Sequence, residues 1–72
     1  TDYKSVLHEW CQKQKKSLTF EVITEIQAAG NSAYDIEVSV DGAVLGSGEA
    51  KSKKAAEQMA AKKAWISLGF SE

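Results

Sequence analysis

The chain has no proline and no arginine, and only one cysteine, one histidine and one methionine among its 72 residues. Each shortage excludes something. A single thiol, Cys11, rules out an internal disulfide and a cysteine-rich zinc site. One free thiol also fits a reducing, cytoplasmic setting. His8 has no second histidine and no spaced cysteines to share a metal, so neither a metal nor any other cofactor is expected in this chain. Without arginine there is no planar fork to read guanine edges, which argues against base-specific recognition. No apolar run approaches the roughly 18 residues of a membrane span, so no membrane partner is expected. Neither G-x-S-x-G nor H-E-x-x-H occurs, so the chain is not expected to be an enzyme. The net charge of −1 and pI near 5.8 exclude a uniformly basic surface. Only a local cluster of the lysines could hold a polyanion.

What is present fits one small folded domain, read here as residues 2–70. Apolar residues make up 43% and charged residues 26%, both ordinary for a globular chain. A domain of this size buries only about 60% of its unfolded surface, so its packing must be efficient. The chain starts at Thr1 and shows no signal peptide, so it is expected to be a piece of a longer protein.

The pattern predicts α-β-β-β-α, an α+β fold in which two helices cover one face of a three-stranded antiparallel sheet. Asp2 is a suitable N-cap for a helix reaching about Gln14. Tyr3, Leu7, Trp10 and Cys11 form its apolar face, which places Cys11 and Trp10 in the core. Ser5, His8, Glu9 and Gln12 form a polar stripe on another face. Leu18–Ile26 reads as a strand, followed by a loop AAGNS from Ala28 to Ser32. Tyr34, Ile36, Val38 and Val40 alternate with polar residues in a second strand. Asp41-Gly42 is a hairpin signal, and Ala43 to about Glu49 is the third strand, weakened at its end by Gly46 and Gly48. The uncovered sheet face should carry Asp35 and Glu37 with Glu21 and Glu25.

Ser52 is a suitable cap for a second helix reaching about Leu68, with Gly69 as its terminator. Lys53, Glu57, Ala60, Ala61, Ala64 and Leu68 make one stripe, charged in its first turn and apolar afterwards. If the apolar part covers the sheet, Lys51, Lys53 and Lys54 project around a helix N-terminus. Ammonium groups and free N–H groups converge there, which is an anion-binding arrangement. Lys62 and Lys63 read as a solvated surface, and Trp65 as core.

The stretch GSGEAKSKKAAEQMAAKKAW, Gly46 to Trp65, resembles the double-stranded RNA-binding domain. DYKSVLHEWCQ, Asp2 to Gln12, is similar to that family's first helix, K-[ST]-x-L-x-E-x-x-Q. YDIEVSVDGAVLGSG is similar to its second hairpin. The D-Y-K-[ST] entry is similar to the C-terminal domain of bacterial ribonuclease III. The resemblance covers nearly all of the chain. It implies that Ser5, His8, Glu9 and Gln12 enter one RNA minor groove. It implies that the loop holding Asn31 and Ser32 enters the next, and that Lys51, Ser52, Lys53 and Lys54 hold the phosphates between them. Such domains span about 16 bp and read A-form shape and 2′-hydroxyls.

Three positions depart from the family pattern. AAGNS stands where G-P-x-H is usual. His8 stands where glutamine is common, and imidazole changes charge in the physiological range. Glu57 stands where many members carry a third basic residue. The resemblance further implies an attached ribonuclease III hydrolysing duplex RNA with Mg²⁺, homodimeric through a domain absent here. The competing expectation is a degenerate member that binds protein through its first helix or its acidic sheet face.

Overall fold

In a computed structural model that describes residues 2–70, the carboxylate of Asp2 accepts the backbone N–H of Ser5 at 3.1 Å. That cap starts helix α1, Tyr3–Lys13. The helix ends with Lys15 in the left-handed region, φ 57°. The N–H of Lys15 then reaches the Gln12 carbonyl at 3.2 Å, and that of Lys16 the Cys11 carbonyl at 2.9 Å. These two bonds make a Schellman motif without glycine.

Three strands follow: β1, Leu18–Ala28; β2, Asn31–Val40; and β3, Ala43–Ala50. They pair antiparallel in the order β1-β2-β3, as the alternating pattern predicts. At the second hairpin Asp41 and Gly42 have φ of 51° and 83°. Positive φ at both central residues is the turn that matches strand twist. Asp41 also accepts the N–H of Ser17 at 2.8 Å, which ties the start of β1 to this turn.

The first hairpin corrects the sequence reading. AAGNS is not a five-residue loop. Ala28 pairs with Asn31 and Gln27 with Ser32, so only Ala29 and Gly30 turn. Their φ values, 50° and 79°, repeat the geometry of the Asp-Gly turn without the aspartate that signals it. β3 pairs with β2 only as far as Tyr34↔Ala50, so the end of the first hairpin overhangs the sheet. The molecule is accordingly elongated, 43 × 24 × 16 Å.

A second correction concerns Glu25. The register shifts between Val22 and Thr24, leaving Ile23 as a bulge. A bulge moves every later side chain to the other face. Glu25 therefore pairs with Tyr34, on the face that the helices cover. The bare face holds Glu21 opposite Glu37 and Asp35 opposite Glu49. Like charges directly opposite destabilise a sheet. This face would repel phosphate, so a polyanion must approach from elsewhere.

Helix α2, Lys53–Ser67, is capped by Ser52, whose hydroxyl oxygen accepts the N–H of Ala55 at 3.1 Å. Its buried residues are Ala56, Ala60, Ala61 and Ala64. Gly46 and Gly48 lie directly beneath. A Cβ on Gly48 would come within 2.5 Å of the Ala56 carbonyl oxygen, and one on Gly46 within 2.6 Å of that of Ala60. The two glycines thus do more than weaken a strand end. They let α2 rest its backbone on β3.

Leu7, Cys11, Ile36, Val38 and Val40 complete the core with these alanines, and Trp10 and Trp65 pack on its rim. Burying a side chain such as Leu7 contributes roughly 1.5–3 kcal/mol. Burial pushes the Cys11 thiol up, the charge of Asp41 adds to this, and Lys16 opposes it. Cys11 is therefore core, as its position on the apolar face predicts. Gly69, φ 99°, closes α2, and the Phe70 ring stacks on Trp65 at 4.1 Å between centroids.

Candidate nucleic-acid interface

The polar stripe of α1 faces solvent as a set. Ser5, His8, Glu9 and Gln12 are all exposed. Two are already engaged locally. The Ser5 hydroxyl donates to Asp2 Oδ2 at 2.8 Å, and Glu9 pairs with Lys13 at 3.2 Å. His8 stacks on Phe20 of β1 with ring centroids 6.0 Å apart. Gln12 keeps a full set of amide donors and acceptors for a groove edge.

At the start of α2, Lys51, Ser52, Lys53 and Lys54 are exposed as well. Among the described residues, no acid pairs with Lys51, Lys53 or Lys54 within salt-bridge distance. The Ser52 hydroxyl oxygen accepts as a cap, and the O–H of this exposed residue can still donate. The stripe behaves as its periodicity predicts. Lys53 lies on the line that continues into Ala60 and Ala64, and it is exposed where those two are buried.

Gln58 joins the two groups. Its side-chain oxygen accepts the N–H of Tyr3 at 2.9 Å, and its amide donates to Asp2. The Gln58 and Ser5 bonds together hold the Asp2 carboxyl down to about 2. At the other end of the helices, Trp10 meets Phe70 edge-on at 6.0 Å. The two helices thus run side by side in the same direction. Their N-terminal halves meet, and Lys54 shares a groove with Asp2 and Tyr3 at the start of α1.

Asn31 and Ser32 are less simply placed. They occupy strand positions on opposite faces of the overhanging hairpin. Ser32 shares its face with Gln27, Glu25 and Tyr34, and Gln27 donates to Glu25 at 3.0 Å and to the Tyr34 hydroxyl at 3.3 Å. Asn31 faces the other way, alongside Ala28 and Ala33.

Two contributors escape sequence reasoning. Lys4 pairs with Glu57 at 2.9 Å, and its ammonium also lies 5.4 Å from the centre of the Phe20 ring. These residues lie 53 positions apart in sequence, so no local spacing signals the pair. Lys62 is also not a simple solvated charge. It is half-buried, with its ammonium 5.9 Å from the Tyr3 ring centre. Lys63 remains exposed. No group of three or more His, Cys, Asp or Glu side chains is placed to hold a metal among the described residues. No helix formed by them is long and apolar enough to cross a membrane.

Comparison with known proteins places these features in a family context. The model of the double-stranded RNA binding motif matches residues 3–68. Ribonuclease 3 of Flavobacterium psychrophilum is 36% identical over 64 residues, which is 89% of this chain and 26% of that protein. Ribonuclease 3 of Zunongwangia profunda is 38% identical over 66 residues, covering 92% and 27%. The enzyme of the same name from Streptococcus pneumoniae is 43% identical over 65 residues, covering 89% and 28%. The chain thus spans about a quarter of the length of these curated relatives. Among solved structures, the solution structure of DRB4 dsRBD2 is 32% identical, with a TM-score of 0.70 over 99% of this chain and 100% of that one.

Proposed function

The chain belongs to the double-stranded RNA binding motif family, and from that membership we propose that it binds duplex RNA by A-form shape as the anchoring module of a ribonuclease III. One observation carries the proposal. Lys51, Lys53 and Lys54 stand exposed at the N-terminal end of α2, and Lys54 lines one groove with Asp2 and Tyr3 at the start of α1. A phosphate backbone is the partner for which helix dipole and ammonium groups act together. The α1 stripe supplies the mixed donors and acceptors that suit 2′-hydroxyls across a minor groove. Ser32, on the helix-side face of the hairpin, is the better placed of the two tip residues for a second groove.

The chain's part in this reading is affinity. Hydrolysis, the Mg²⁺ it would need and any dimer contact belong to parts of the parent outside these residues, in a cytoplasmic protein. A degenerate member that docks protein is the less favoured reading. Its acidic sheet face is present, but so are the exposed Lys51, Lys53 and Lys54 at the start of α2.

Equilibrium binding to RNA and DNA duplexes of about 20 bp tests the proposal. Salt-sensitive binding to RNA, with clearly weaker binding to DNA of the same length, is expected. Equal affinities would remove the 2′-hydroxyl part of the reading. No salt-sensitive RNA binding would remove all of it.

A further inference from the structure

Lys4 occupies the joint between the two polar groups. It lies one helical turn before His8 on α1, and both pack against the same Phe20 ring. Its partner Glu57 lies one turn after Lys53 on the charged stripe of α2. The Lys4 ammonium therefore stands between the minor-groove stripe and the phosphate lysines. The pair is not sealed in the core: the Lys4 side chain is 37% exposed and that of Glu57 17%. Burial therefore leaves the ammonium within reach of a second anion. A phosphate oxygen offers it the same charge-assisted contact that the Glu57 carboxylate now provides.

Resting on the duplex-binding reading above, we propose that Lys4 is a further phosphate ligand, and that Glu57 holds it in the free protein as an internal competitor for the RNA backbone. Glu57 then does two things. It keeps the Lys4 ammonium at the joint between the helices, with its stem against Phe20. It also subtracts one negative charge's worth of attraction from the grip, so the domain binds less tightly than its lysine count implies. The acid at position 57 thus acts on the lysine grip through Lys4.

The test uses the whole chain, a 20-bp RNA duplex and a salt series, with thermal unfolding of each variant as a control. Lys4→Gln is expected to weaken binding several-fold and to flatten the salt dependence by about one phosphate contact, a slope change near 0.9. Lys4→Arg should restore both. Glu57→Gln is expected to tighten binding several-fold at low salt. If Lys4→Gln lowers the melting temperature while affinity and salt slope stay at wild-type values, the pair is only a structural tie and the proposal is overturned. If Lys4→Gln does not fold, Glu57→Gln decides: unchanged affinity overturns the proposal. Absence of RNA binding by the wild type would instead overturn the duplex-binding reading itself.

Discussion

Gly48 lies so close under Ala60 that a Cβ placed on it would sit 2.6 Å from the Ala60 backbone nitrogen. The backbone of α2 thus rests on the backbone of β3 with no side chain between them. Gly48→Ala must lift or shift the helix, an overpacking cost of about 1–3 kcal/mol. Urea unfolding should show that loss. Gly30→Ala, with nothing within 4 Å, should cost only the strain of its left-handed backbone. Equal stability of wild type and Gly48→Ala would mean that the helix does not rest on the strand.

Lys53 and Lys54 should trade stability against function. Each opposes the α2 dipole at a repulsion of about 0.3–1 kcal/mol. The double variant Lys53→Ala, Lys54→Ala is expected to melt at the same temperature as wild type or slightly higher. It should nevertheless lose duplex binding and flatten the salt dependence by about one counterion per lost phosphate contact. A variant that melts lower and still binds would contradict both halves.

Asp2 makes stability depend on acid pH. Its carboxyl is held at about 2 in the folded chain against 3.8 ordinarily, chiefly by the Gln58 amide and then by Ser5. A depressed pKa means the folded state favours the charged form. Its contribution is therefore fully present above about 4 and is lost as pH falls toward 2. Asp2→Asn keeps a capping oxygen but removes the charge. Wild type should melt above Asp2→Asn at pH 6, and the gap should close between about pH 4 and 2. A gap independent of pH would show that the charge plays no part.

Lys15 holds a left-handed conformation, φ 57°, at the Schellman position after α1. Glycine adopts that region without a Cβ penalty, although it also loses more freedom on folding. Lys15→Gly should stabilise the domain by about 0.5–1 kcal/mol, read as a higher melting temperature. RNA affinity should stay unchanged, because Lys15 lies at the far end of α1 from the lysine cluster.

The order of elements, the two helix caps, the Asp-Gly turn and both polar stripes are legible in the chain of residues alone. Each of these rests on residues within about four positions of one another, where periodicity and capping chemistry act directly. The rest depends on contacts between elements distant in sequence. The turn at Ala29 and Gly30 closes because strand pairing on both sides forces it, with no aspartate to announce it. The bulge at Ile23 is invisible to alternation, yet it carries Glu25 from the bare face to the covered one. The role of Gly46 and Gly48 appears only when α2 lies over them. Lys4 reaches Glu57 across 53 residues, and Gln58 reaches Asp2 across 56. The packing of two helices on one sheet creates these contacts. That same packing brings the start of α1 and the start of α2 into one surface.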